Sequence, residues 1–86
     1  MSEFSVGDMV VSLCGHDVGG YFIVMEVDGK FVTVCDGHNR KAVKKKKKSI
    51  KHVMPTGQHT ELIKNVPQYA VDANIRREIK RLKQLI

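Results

Sequence analysis

From Asp8 to Asp36 the apolar residues come in short β-branched runs divided by turn formers, and after Pro55 the pattern becomes helical. Met9-Val10-Val11-Ser12-Leu13 predicts a first strand, ended by the turn-rich stretch Cys14-Gly15-His16-Asp17-Val18-Gly19-Gly20. Tyr21–Val27 predicts a second strand, and with Glu26 toward water its buried face takes Ile23, Met25 and Val27. Asp28-Gly29 is the strongest short-range hairpin signal here, because a tight two-residue turn needs positive φ and glycine supplies it. Phe31–Cys35 is the return strand, with Val32 and Val34 inward, and Asp36-Gly37 marks another reversal. Two more short strands are expected: Arg40–Val43, anchored inward by Val43, and Ile50–Val53, ended by Met54-Pro55-Thr56-Gly57. The lysine run Lys44–Lys48 falls between them and is placed in a loop or in flanking strand ends, where solvent relieves its repulsion.

In the last stretch Val71, Ile75, Ile79, Leu82 and Ile86 recur at steps of four, four, three and four, the stripe of an amphipathic helix. Pro67 suits its first turn, Asp72 and Arg76 form an i,i+4 pair, and cations gather toward its C-terminal end. A shorter helical turn is expected around Thr60–Asn65. Five short antiparallel strands make too little area for two sheets, but they can curl into one twisted barrel that hides its edges. The fold class is therefore mainly β: a small five-stranded SH3-like barrel over residues 1–57, followed by a C-terminal amphipathic α-helix within 58–86.

Composition adds bounds. Eighty-six residues make one small domain, with no tryptophan and few aromatics to stabilise its core. No stretch reaches the length of a membrane span, and the opening Met-Ser-Glu-Phe-Ser lacks the features of a secretion signal, so a cytoplasmic protein is expected. In a reducing compartment Cys14 and Cys35 are read as small apolar side chains in or near strands, not as a disulfide.

Charge changes the picture most. Residues 1–39 carry six acids against Lys30 alone, residues 40–52 hold eight cations and no acid, and the remainder carries six cations against three acids. Such segregation is the footprint of a polyanion binder. The candidate RNA contacts are Arg40, Lys41, Lys44, Lys45, Lys46, Lys47, Lys48, Lys51 and His52. Lysine, a flexible point charge, suits phosphate contact, whereas Arg40 can offer a bidentate fork. His16, Arg76, Arg77 and Lys80 are secondary candidates. Phe31 and one of Tyr21 or Phe22 are assigned to the core, while Phe4 and Tyr69 are freer to stack on bases. Without a dense aromatic platform, recognition by backbone and shape is favoured over sequence reading. The helical stripe can pack on the barrel, with its cations along RNA or merely solvated, or it can recruit a partner.

A competing arrangement is a zinc site built from Cys14, His16, Cys35 and His38, although Cys-x-His is an unusual spacing for a structural pair. No Ser–His–carboxylate pattern, phosphate loop or carboxylate cluster suggests catalysis, and no cofactor is implied.

Gly7-Asp-Met-Val-Val-Ser12, Gly15-His-Asp17-Val-Gly19, the strand Tyr21–Val27, Val34-Cys-Asp36-Gly37-His-Asn-Arg40 and Lys44–Lys48-Ser-Ile-Lys51-His52-Val-Met-Pro55-Thr56 together resemble the KOW-domain proteins. The ordered set is similar to the short KOW-containing RNA-binding proteins of bacteria. These in turn resemble KOW-containing large-subunit ribosomal proteins of archaea and eukaryotes. The resemblance covers roughly residues 5–57 and leaves the C-terminal helix outside. It implies an SH3-like barrel that binds structured RNA, often ribosomal, without catalysis. Gly15, Asp17 and Gly19 would then shape the first loop, with Asp17 bonding backbone amides. One departure is that this loop usually carries basic residues, whereas here only His16 could be cationic, which shifts the electrostatic role to the lysine segment. The expected partner is RNA, ribosomal in the first instance, in the large subunit or its assembly. The alternative is a protein–protein adaptor that docks an acidic partner of the transcription or translation machinery, with no membrane in either case.

Overall fold

The computed structural model describes residues 4–86, so Glu3, counted among the N-terminal acids, lies outside the described residues. Five antiparallel strands form one sheet in the order β4-β3-β2-β1-β5: β1 (Asp8–Ser12), β2 (Tyr21–Asp28), β3 (Phe31–Cys35), β4 (Lys46–Ser49) and β5 (Val53–His59). A single 3₁₀ turn, Ile50–His52, joins the edge strands β4 and β5, which curls the sheet into the expected small SH3-like barrel. Helix α1 (Val71–Lys83) follows a 3₁₀ turn that begins just after Pro67. The Thr60–Asn65 segment contains a turn and no helix.

The sheet is covered on both faces. Val10, Phe22, Val24, Val32, Val34 and Val53 fill the barrel interior. Met9, Ile23 and Cys35 point the other way and are covered by Val71, Ile75 and Leu82 of α1. Burying each such isoleucine or leucine contributes about 1.5–3 kcal/mol, which a small core without tryptophan needs. The helical stripe therefore finds its partner within the chain. Ile86 is the exception, lying beyond the helix and exposed. Phe4, expected to be free, is buried in the interior cluster, and Tyr69 is 90% exposed.

The imperfect alternation of β2 has a physical cause. Its pairing with β3 shifts between Val24 and Glu26, the mark of a β-bulge. Before the bulge Phe22 and Val24 face inward, and after it Val27 does, opposite Val32. Ile23 and Met25 thus lie on the helix-covered face, not on one face with Val27 as a simple period of two predicts. The hairpin itself is as read, with Gly29 at φ 58° and Lys30 not in that region, the pattern of a type II′ turn.

The largest departures fall between residues 40 and 57. Arg40–Val43 is no strand, and Val43 is 74% exposed. The lysines supply the fourth strand instead. Lysine is a poor strand former but common on edges, where its charge blocks edge-to-edge association. Ile50–His52 is a 3₁₀ turn, and β5 begins at Val53 and runs through Pro55 and Gly57 to His59. Pro55 is tolerated because β5 is an edge.

The far end of β5 is clasped to β1 by His59, whose Nδ1 lies 2.6 Å from Asp8 Oδ1 and whose Nε2 lies 3.2 Å from Glu61 Oε1. The hydrogen bond to Asp8, then that to Glu61, raise the His59 pKa above 6.5. A raised histidine pKa stabilises the fold fully below the unfolded value and loses that contribution as pH rises through the folded one. With the ring 36% exposed, the contribution is at most about 1 kcal/mol. The wild-type melting temperature should therefore fall by a few degrees more than that of His59→Asn as pH rises from about 5.5 to 8. Parallel curves for the two proteins would show that the clasp carries no pH-dependent stability.

Candidate nucleic-acid interface

The period of two along β4 divides the lysine run between two sides of the sheet. Lys46 and Lys48 pair with Val34 and Val32, both interior residues, so their side chains leave on the inner side. There the β1–β2 loop brings Asp17 over the end of the barrel. Lys48 Nζ lies 3.0 Å from Asp17 Oδ1 and donates to the Cys14 carbonyl at 3.1 Å, with its side chain only 5% exposed. Lys46 Nζ lies 3.5 Å from Asp17 Oδ2, and Ser12 Oγ donates to Oδ1 at 2.9 Å. Burial acts to raise the Asp17 pKa, but the Lys48 and Ser12 hydrogen bonds and the charges of Lys48 and Lys46 outweigh it and hold the carboxyl below 3.8. The side chain of Asp17 thus binds side chains, not the backbone amides expected of it.

Lys45 and Lys47 leave on the outer side. Lys45 pairs with Glu26 at 3.1 Å, an exposed contact, and the Lys47 ammonium sits 4.8 Å from the centroid of the Phe31 ring. Phe31, expected in the core, is 43% exposed. Lys41, Lys44, Lys51 and His52 are exposed on the turns that flank β4, and the first three make no ion pair among the described residues.

Arg40 sits in the β3–β4 loop, which is tied from both sides. Asp36 Oδ1 accepts from the amides of His38 at 2.9 Å and Arg40 at 2.8 Å. From the helix, Asp72 Oδ1 accepts from the Ala42 amide at 2.7 Å, and the Arg76 guanidinium donates to the Gly37 carbonyl. Asp72 and Arg76, read as a pair, each hold this loop instead. Gly37 has φ 73°, and a Cβ there would collide with the Asp72 carbonyl, so only glycine lets the helix come so close.

Two shallow grooves meet at this end, sharing Gly20 and Asp36. One lies between the loops and contains His16, Asn39 and Arg40. The other lies along α1 and contains Tyr21, His38, Arg76, Lys80 and Lys83, with the Lys83 ammonium 4.9 Å from the Tyr21 ring centroid. The fold therefore brings His16 together with Arg40, and Arg76 with Lys80. Arg77 points elsewhere on the helix surface and lines neither groove. Sequence reasoning overlooks Lys83, although Arg76, Lys80 and Lys83 stand at i, i+4 and i+7, a spacing that puts them on one helix face.

The proposed zinc ligands do not assemble. Cys35 is fully buried under α1, and burial, with the Asp72 and Asp36 charges, pushes its thiol up to about 12. Among the described residues no group of three or more histidine, cysteine or acidic side chains could hold a metal ion. Both cysteines are free thiols. Among the described residues no helix is long and apolar enough to cross a membrane.

No family model matches the chain. Over 79 residues, 91% of this chain and 82% of the other, it is 27% identical to the large ribosomal subunit protein eL14 of Metallosphaera sedula. A match of that length takes in most of the C-terminal segment that the motif resemblance leaves out, so the likeness to a large-subunit ribosomal protein extends beyond the barrel.

Proposed function

We propose that this chain is a non-catalytic RNA-binding module that contacts ribosomal RNA, in the large subunit or during its assembly, through phosphates and shape. The observation that carries this reading is the set of exposed cations left unneutralised around β4. Lys41, Lys44 and Lys51 have no acidic partner among the described residues, and Lys47 rests only on an aromatic ring. Counterion release favours phosphate over isolated carboxylates at such a strip. The likeness to eL14, a large ribosomal subunit protein by name, agrees with it.

In this reading Lys41, Lys44, Lys45, Lys47, Lys51 and His52 form the main contact strip. Arg40 and His16, with Arg76 and Lys80, form a second contact in the grooves at the loop end of the barrel. Lys46 and Lys48 shape the site from behind, because their ammonium groups answer Asp17. Gly15 and Gly19, both at positive φ, turn the chain so that Asp17 can reach them. Arg77 contributes charge without a defined place. Tertiary shape, not base sequence, would select the RNA.

Sedimentation of a lysate tests the proposal. The protein is expected with large subunits, shifting to light fractions after ribonuclease treatment or in high salt. Sedimentation with large complexes that resists ribonuclease would instead support docking on an acidic protein partner. A light peak indifferent to both treatments would overturn a ribosomal role.

A further inference from the structure

We propose that Phe31 is a stacking site for one unpaired nucleobase, so that the module selects RNA carrying a bulged or looped-out nucleotide over uniform duplex. The inference rests on the RNA-binding reading above and adds a ligand class to it.

Phe31 opens β3 on the outer side of the sheet, the same side as Cys35, but four residues, roughly 13 Å, further along. Helix α1 covers Cys35 and does not extend its apolar stripe over Phe31. By strand register the ring's neighbours on that side are Thr33, Ser49 and Lys47 toward β4 and Asp28 and Glu26 toward β2, all polar or charged. A phenylalanine 43% exposed in a chain with only three phenylalanines and no tryptophan is thus presented, not packed.

Its present occupant is weak. An exposed ammonium over a phenyl face is worth less than a nucleobase stacked on it. A base can therefore replace the Lys47 ammonium, which has a four-carbon stem and can swing to the phosphate of the same nucleotide. Other cations stand ready at this end of the sheet. The Ile50 amide donates to the Lys30 carbonyl at 2.9 Å, which brings the turn carrying Lys51 against the hairpin tip carrying Lys30. Asp28, the cross-strand partner of Phe31, disfavours phosphate at the tip itself, so a base and not a phosphate faces the ring. A base inside a duplex cannot present its face to a side chain, whereas a bulged base can.

The test uses the full chain with two RNA hairpins of equal length and charge, one with a single bulged nucleotide and one fully paired. Wild type should prefer the bulged RNA by about tenfold, the scale of one stacked base. Phe31→Ala and Phe31→Leu should lose that preference while keeping the affinity for the paired hairpin and the salt dependence. Phe31→Trp would give the chain its only tryptophan, and its emission should be quenched by the bulged RNA and not by the paired one. Equal wild-type affinity for both hairpins, or a retained preference in Phe31→Leu, would overturn the stacking site while leaving phosphate binding intact. Failure of wild type to bind either hairpin would overturn both readings. Melting curves of the variants should match wild type, since the ring is outside both cores.

Discussion

Replacing Lys48 by alanine should lower stability by about 2–3 kcal/mol, read as a melting temperature roughly 10–20 °C lower, although this lysine belongs to a run of five. The side chain is 5% exposed and its ammonium is held by Asp17 and the Cys14 carbonyl. Removing it leaves a carboxylate, 17% exposed, with only Lys46 at 3.5 Å and the Ser12 hydroxyl to answer it. Breaking one side of a buried pair costs more than the pair itself is worth, because the survivor stays desolvated. The double variant Asp17→Asn, Lys48→Met should therefore recover much of the loss. If Lys48→Ala unfolds within about 0.5 kcal/mol of wild type, the buried latch is not a stabilising element.

Acid should reveal the same latch. A depressed carboxyl pKa contributes stability fully above the unfolded value, here 3.8, and the contribution disappears as pH falls through the folded value. Asp17→Asn should accordingly be less stable than wild type at neutral pH, and the gap should close below about pH 4.

Local chemistry was legible in the sequence and long-range pairing was not. The Asp28-Gly29 hairpin, the inward Val32 and Val34, and the α1 stripe through Val71, Ile75 and Leu82 depend on short periods and turn propensities, and they appear as read. The lysine run misleads because its strand character comes from pairing with β3 and from Asp17, roughly thirty residues away, which answers the two inward lysines. Val43 and Phe31 fail for a related reason. An apolar residue is buried only if another element arrives to cover it, and α1 covers Cys35 but not Phe31. For the proposed contact strip, charge segregation in the sequence marks the cation-rich segment, and only the fold divides its lysines into those held by Asp17 and those left exposed.

That division makes the binding prediction sharper than a reversal of the whole run, which would destroy the Lys48 latch and lose affinity through unfolding. Lys44→Gln, Lys45→Gln and Lys47→Gln together should weaken binding to a structured RNA on the order of a hundredfold at physiological salt. The slope of log affinity against log salt should fall by about two to three units, close to one for each phosphate that a lysine no longer neutralises. Stability should hold within about 0.5 kcal/mol, since these side chains are exposed and the Lys45–Glu26 pair is a surface contact. Lys46→Gln should do the reverse, leaving the slope nearly unchanged while weakening the hold on Asp17. Neighbours in sequence would thus affect different properties, and alternation along β4 decides which. If Lys46→Gln and Lys47→Gln reduce the salt slope equally, phosphate contact does not follow the strand's two sides, and if the triple variant keeps wild-type affinity, the proposed strip is wrong.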